Sequence, residues 1–585
     1  MKQFIKFTLA TILGVFLSFL IFFVILFSIA SAISNSDRQY ALKENSLLKI
    51  TLNGMISEQS AENPFDFSIP GVPMNTKIDK QGLDDILSAI KKAKKNNKIR
   101  GIYIEAQTLN AGFVCAEEIR DALEDFSKSG KYIIAYGDNY DKREYFISSV
   151  ADKVFINPKG LMNIGGLAST PVFYVDALKK IGVKVEVFKV GTFKSAIEPF
   201  INRKMSDASR LQTTDYLNGM WNHMLGKISI SRGISVDSLN MIADKNTLFE
   251  PTESFISDRL VDSLVYESEV MDYLADLHGI EKAKDLNIVS VSEMISVPVK
   301  NAEYNQDKIA ILYADGQIYD SGTEGIVTHK MIDEINKIKE DNNIKAIVLR
   351  VNSPGGSAYA SEQIWKALAD LKKTRPVVVS MGDYAASGGY YISCNASKII
   401  ASPNTLTGSI GIFGTFIVID ELTKKIGLNF DEVETNELAD FGNITRPMSD
   451  LEKAKIQKYI ERSYQLFINR CSEGRNIKPE ELEKIAEGRV WTGEKAVELG
   501  LVDELGGIKR AIEIAADLAK TKKYRLVYYP AKKDYMTILM EEFSSQAGMK
   551  IAIKVLGNEY APLLKLKESN IQTGVLARMD DIIIK

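Results

Sequence analysis

The sequence predicts a duplicated α/β protein, with two domains built on mainly parallel sheet, preceded by a membrane-spanning helix. Three observations carry this: an internal repeat, an alternation of short apolar runs with helical stretches in each copy, and an uncharged apolar stretch near the start. The repeat appears when Ile99-Arg100-Gly101-Ile102 is laid on Ile344-Lys345-Ala346-Ile347 and the offset of 245 residues is held fixed. Ile119 then falls on Ile364, Gly137-Asp138 on Gly382-Asp383, Tyr145 on Tyr390, Pro158 on Pro403 and Gly166 on Gly411. An ungapped register of this length is the mark of a duplicated domain.

Taking the chain in order, Phe7 to Ile33 carries no charge and is mostly Leu, Ile, Phe, Val and Ala. It exceeds the roughly 20 apolar residues that span a bilayer. Lys2 and Lys6 precede it, so residues 1–6 are expected to stay cytoplasmic and the remainder to lie on the extracytoplasmic side of the cell membrane. Ala30-Ser31-Ala32 offers a rival reading as a signal-peptidase site, but a cleavable apolar core usually runs only about 7–15 residues. Residues 34–46 read as a polar tether.

Leu47 to Ile56 alternates apolar and polar residues, a half-buried strand, and Ile309 to Ile318 is its counterpart. The first copy is longer here, in a loop from Asn63-Pro64 to Asn75. Helices follow at Lys80–Lys95 and Thr328–Glu340, then buried strands at Gly101–Glu105 and Ala346–Val351. Further helices lie near 116–128 and 360–373, and strands at Tyr132–Tyr136 and Val377–Met381. Strands alternating with helices imply βαβ units and a parallel sheet. Ser206-Asp207 and Ser449-Asp450 are matching helix N-caps, and Leu260-Val261-Asp262 matches Leu501-Val502-Asp503. The resulting division is 47–278 for the first repeat, 279–307 for an inter-repeat connection, 308–530 for the second repeat and 531–585 for a tail.

Composition narrows the function. A chain of 585 residues is too long for one core. A net charge of −3, with no basic stripe, gives no reason to expect nucleic acid as a partner. Cys115, Cys394 and Cys471 are too few for a disulfide framework or a metal cluster and read as small buried apolar residues. The three histidines, His223, His278 and His329, stand outside any glycine-rich or strand-end context. No metal or organic cofactor is implied.

The chemistry lies where the copies differ. The second has Pro354-Gly355-Gly356 and Ser387-Gly388-Gly389, where the first has Leu109-Asn110-Ala111 and Lys142-Arg143-Glu144. Pro376 to Met381 reads as a buried strand, Gly382 to Ala386 as a turn, and Ser387 as the opening of a helix. Free N–H groups and the helix dipole converge at such a junction, and they suit a nucleophile whose oxyanion needs donors already in place. The Pro-Gly-Gly turn, at the carboxyl end of the preceding strand, can aim an N–H at the same point as Gly388. The first copy supplies Lys194, within Val190-Gly191-Thr192-Phe193-Lys194-Ser195. Free lysine has a pKa of about 10.4, and an apolar setting lowers it toward a usable base.

Asn352-Ser353-Pro354-Gly355-Gly356, Asp383 to Tyr390, Thr407-Gly408-Ser409-Ile410-Gly411, Val190 to Phe200 and Trp491 to Ala496 together resemble the signal peptide peptidase A (protease IV) family in its long, duplicated form. The resemblance covers nearly the whole chain. It implies a Clp-like, crotonase-related fold in each repeat and a Ser-Lys dyad. Ser387 would be nucleophile, Lys194 general base, Gly356 and Gly388 oxyanion donors, and Ser409 the residue orienting the lysine. It also implies a membrane-bound homotetramer acting on signal peptides left in the bilayer, through an acyl-enzyme. Two other classes compete: an acyl-CoA enzyme of the crotonase type, which also uses glycine-turn oxyanion holes, and a catalytically silent membrane scaffold.

Overall fold

The computed structural model describes residues 40–60, 80–298, 306–532 and 574–579, with a few helical residues between 3 and 21. In the first repeat the alternating run becomes strand β1 (Ser46–Ser57), followed by α1 (Leu83–Lys95), β2 (Ile99–Asn110), α2 (Phe113–Ser127), β3 (Tyr132–Gly137), α3 (Lys142–Ser148) and β4 (Lys153–Ile156). Strand β5 (Lys184–Lys189), helix α4 (Asp207–Arg232), β6 (Ser263–Leu264) and β7 (Asn287–Val289) complete it. The strands lie in the order β7-β1-β2-β3-β4-β6, with β5 apart, and every pair is parallel. Helix α1 shows why the elements form: Leu83, Ile86, Ala89, Ile90 and Ala93 recur at helical spacing and are all buried.

The second repeat follows the same plan: β8 (Lys308–Asp315), α5 (Thr328–Glu340), β9 (Ile344–Ser353), β10 (Gly355–Ser357), α6 (Ala358–Lys372), β11 (Val377–Ala386) and α7 (Gly388–Ser393). Then come β12 (Lys398–Ala401), β13 (Leu406–Gly408), β14 (Phe413–Val418), α8 (Asp450–Arg475), β15 (Val490–Thr492), β16 (Arg525–Tyr529) and β17 (Gly574–Arg578). Its main sheet runs β15-β13-β11-β9-β8-β16, parallel except for the β13–β15 pair. Ser206 and Ser449 cap α4 and α8, accepting from the N–H of Ser209 and Glu452. All three cysteines are buried and free.

Three places differ from the reading of the sequence. Gly382 to Ala386 is not a turn: β11 runs through to Ala386, because Tyr384, Ala385 and Ala386 pair with Leu406, Thr407 and Gly408. The segment 279–307 does more than connect, since β7 pairs with β1 just as β16 pairs with β8. Within 531–585, residues 574–578 form a strand of the second repeat's site. As for the predicted anchor, most of 7–33 lies outside the described residues; among those described, no helix is long and apolar enough to cross a membrane.

Two of the contacts between the repeats bear most on the site. Strand β5 of the first pairs antiparallel with β14 of the second, from Lys189↔Phe413 to Lys184↔Val418. Beneath this, Arg350 of β9 is buried against two carboxylates of the first repeat. Its Nε and Nη2 donate to Glu58 at 2.8 and 3.1 Å, and its Nη1 to Glu118 Oε1 at 2.7 Å. Two buried carboxylates share one guanidinium, and Glu118 Oε2 is without a hydrogen bond among the described residues. Burial, with Glu58 adding to it, pushes the Glu118 carboxyl up to about 7 although Arg350 pulls the other way.

A raised carboxyl pKa means that the folded state holds a proton the unfolded chain has already released. Its contribution is therefore complete below the unfolded value and is lost as pH rises through about 7. Glu118→Gln fixes the uncharged form. We expect it to match the parent in stability near pH 4.5 and to exceed it by up to about 3 kcal/mol at pH 8, at about 1.4 kcal/mol per pKa unit. Denaturant titrations of both proteins across that range check this, and an unchanged difference at both ends would contradict it.

Candidate active site

Ser387 sits between β11 and α7, with its N–H donating to Gly408 O at 2.8 Å. Its backbone, at φ 54° and ψ −113°, is one that non-glycine residues seldom adopt. Such strain persists only where the surroundings impose it, and it is concentrated at functional sites. The flanking pairings supply the constraint: β11 is held by β13 up to Ala386, and Gly389 packs so closely that an added Cβ would lie 2.5 Å from Ser353 O. The side chain is fully buried.

Lys194 reaches Ser387 from the other repeat. The β5–β14 ladder carries the chain to Val190, whose N–H donates to Ile412 O at 3.1 Å. At Gly191 (φ 104°) the chain turns so tightly against Glu487 that a Cβ would come within 2.4 Å of its carbonyl oxygen. Phe193 N then donates to Glu487 O at 2.9 Å. This delivers Lys194 Nζ to 2.8 Å from Ser387 Oγ, 3.1 Å from Ser409 Oγ and 3.1 Å from Ser409 O. Lys194 is 1% exposed, and Nζ lies 5.9 Å from the centre of the Phe413 ring. Ser409 is itself buried, with Oγ donating to Gly488 O at 3.2 Å.

The two glycine turns converge as well. Gly355 (φ 98°) is so close to the start of α7 that a Cβ on it would lie 2.6 Å from Gly388 N. A Cβ on Gly356 would lie 2.0 Å from Ile318 O. Thus all five residues singled out in the sequence, Lys194, Gly356, Ser387, Gly388 and Ser409, gather around one point, with the hydroxyl beside a buried amine. The corresponding place in the first repeat is blocked: Glu144, at the position of Gly389, accepts from Leu109 N at 2.7 Å and fills the turn.

The model of peptidase family S49 matches residues 125–281 and 369–522, one region in each repeat. The chain belongs to peptidase family S49. The Clp protease model matches residues 300–407, so the tandem α/β domains are of S49 and Clp type. "Protease 4" of Salmonella typhi is 35% identical over 542 residues, covering 88% of this chain and 87% of that one. "Protease 4" of Haemophilus influenzae is 32% identical, covering 95% and 93%. "Serine protease SPPA, chloroplastic" of Arabidopsis thaliana is 29% identical, covering 93% and 79%. The chain is therefore a serine peptidase of the long S49 form, with two S49 regions in tandem.

Some residues of this S49 site are not legible as such in the sequence. Gly488 (φ 79°) lies so close to Lys194 that a Cβ would come within 2.8 Å of the lysine backbone N; its only sequence signal is a glycine shortly before Val490. Gln212 holds the lysine loop to the second repeat, donating to Phe193 O at 3.1 Å and accepting from Val490 N at 3.1 Å. A glutamine on a long helix carries no motif.

Proposed function

We propose that this S49 peptidase works through a Ser387–Lys194 dyad, and that its substrates are apolar peptides such as signal peptides left in a membrane. The observation that carries the reading is the 2.8 Å approach of Lys194 Nζ to Ser387 Oγ, with both side chains buried. In the attack, the neutral amine takes the Ser387 proton as Oγ bonds to the substrate carbonyl carbon. The negative charge moves onto the carbonyl oxygen, facing the backbone N–H groups of Gly356 and Gly388. Collapse breaks the C–N bond, Lys194 returns the proton to the leaving amine, and an acyl-Ser387 ester remains. Water then repeats the sequence and frees the serine. Ser409 keeps the amine aimed at Oγ by holding it through both its hydroxyl and its carbonyl oxygen.

The anchor at 7–33, an extracytoplasmic catalytic portion and a homotetramer belong to the same proposal. Exposed apolar side chains at Ile426, Leu428, Phe430 and Val433 are in keeping with contacts to other copies or to lipid.

The test is hydrolysis of synthetic signal-peptide sequences by the purified full-length chain in detergent, with cleavage sites located by mass spectrometry and an acyl-CoA binding measurement alongside. Cleavage within the apolar core, together with labelling of Ser387 by a serine-directed acylating probe, is the expected result. Binding of acyl-CoA without peptide cleavage, or neither cleavage nor labelling, would overturn it.

A further inference from the structure

Arg489 and Trp491 take no part in the dyad, and only the repeat that carries the serine has them. At the offset of 241 residues that lays Leu501-Val502-Asp503 on Leu260-Val261-Asp262, they fall on Leu248 and Glu250. In the structure they form a link between the repeats. The Arg489 guanidinium carbon lies 4.8 Å from the centre of the Phe193 ring and 4.1 Å from that of Trp491. Its Nη2 donates to Asp215 of α4 at 2.7 Å, and its Nε is buried without a hydrogen bond among the described residues. Cation–π attraction strengthens as the cation loses water. A planar guanidinium keeps contact with two rings where a point-like ammonium does not.

The two rings belong to the two elements that hold the amine. Phe193 immediately precedes Lys194 in the loop of the first repeat. Trp491 of β15 pairs with Thr407 and stands behind the turn that presents Ser409: a Cβ on Gly408 would lie 2.9 Å from Trp491 Cδ1. The Arg489 carbonyl oxygen accepts from Ser409 N at 2.7 Å. This bond holds Ser409 at φ 49°, a left-handed backbone that serine seldom adopts. The side chain of Arg489 therefore grips the loop of the amine, while its main chain grips the residue that aims it.

We propose that Arg489 is a positioning residue for Lys194, its guanidinium fixing the lysine loop of the first repeat against the Ser409 turn of the second. The proposal rests on the dyad reading for the use made of that aim. A substitution at 489 keeps the backbone bonds to Ala486 O and from Ser409 N, so the turn itself persists. What is lost is the hold on Phe193. Lys194 Nζ then drifts from Ser387 Oγ, and misplacing a reacting group by about 1 Å costs on the order of a hundredfold in rate. Water also reaches the amine, which returns its pKa toward the free-lysine value of about 10.4. A residue that merely supports the fold would produce neither change at Lys194.

The experiment uses the full-length chain in detergent. Arg489→Ala is expected to lower kcat for peptide hydrolysis about thirtyfold, with KM changed by less than about twofold. The midpoint of the rise of kcat with pH should move upward by about one unit. Arg489→Lys keeps the charge beside Asp215 but not the contact with both rings, and should lose about tenfold or more. Asp215→Asn removes only a half-exposed ion pair and should stay within about threefold of the parent. Phe193→Leu keeps apolar bulk without the ring face. It should reproduce Arg489→Ala, and the double variant should fall no more than about threefold below either. In a Ser387→Ala background, where turnover plays no part, acetylation of Lys194 by acetic anhydride is followed by mass spectrometry. Arg489→Ala, or Phe193→Leu should the first fail to fold, is expected to speed it about tenfold or more, since Lys194 is buried in the parent. A loss of kcat with the pH midpoint and Lys194 acetylation both unchanged would overturn the proposal, as would a loss in Asp215→Asn equal to that in Arg489→Ala. Turnover surviving Ser387→Ala would instead overturn the dyad reading and leave the acetylation comparison to judge Arg489.

Discussion

Lys194→Ala and Ser387→Ala are each expected to lower kcat for peptide hydrolysis by about a thousandfold or more, and the double variant by no more than either alone. Members of a nucleophile–base pair act as a unit, so removing one forfeits nearly all that the pair contributes. The residual rate would come from substrate positioning and the N–H donors of the glycine turns. Lys194→Arg should be as inactive as Lys194→Ala, although it keeps the positive charge. A guanidinium stays protonated at any working pH and cannot take the serine proton. This variant separates a base from a merely electrostatic lysine, which arginine would replace in part. Neither alanine variant should unfold the protein: Ser387→Ala removes one buried hydroxyl, and Lys194→Ala removes a buried amine whose desolvation opposes folding. The check is steady-state kinetics beside thermal melts on the same preparations. More than about a tenth of parental kcat in any of these variants would remove the dyad.

The sequence carried more of the site than of its surroundings, and the reason is physical. A duplication compares a chain with itself, so the glycines at 355, 356, 388 and 389 stand out against Asn110, Ala111, Arg143 and Glu144. Each glycine is needed because the nearest neighbouring atom, backbone at 355, 356 and 389 and the Ser361 hydroxyl at 388, would lie 2.0–2.7 Å from a Cβ. Lys194 was harder, since a lysine in a loop is ordinarily a surface lysine; only the duplication and its motif resemblance pointed to it. Contacts that depend on chain packing left no pattern. The three residues of β7 are too few to show a periodicity, yet they complete the first sheet beside β1. Residues 574–578 read as an ordinary Gly-Val-Leu-Ala-Arg stretch, and their pairing with β10 and β14 comes from the slot they fill. The extension of β11 to Ala386 was hidden by small residues that resemble a turn, though the partner strand β13 makes them extended.

Arg350→Ala is expected to be the most destabilising single substitution between the repeats, by about 3–5 kcal/mol, because it leaves Glu58 and Glu118 buried without their cation. The site adds a functional consequence. Ser387 follows β11, the strand paired directly with Arg350's β9, whereas Lys194 belongs to the first repeat, so anything that loosens the packing of one repeat on the other separates the amine from the hydroxyl. Activity should therefore fall at denaturant concentrations where far-ultraviolet circular dichroism still reports intact helices. A triple variant, Arg350→Met with Glu58→Gln and Glu118→Gln, tests the cause. Removing all three charges together abolishes the unpaired-carboxylate cost, and buried ion networks replaced in this way are often neutral or stabilising. The triple variant should recover most of the stability and the activity that Arg350→Ala loses. If it is no better than Arg350→Ala, the guanidinium acts through shape and its bonds to Ser380 and Met381, and charge compensation is not what joins the two halves of the site.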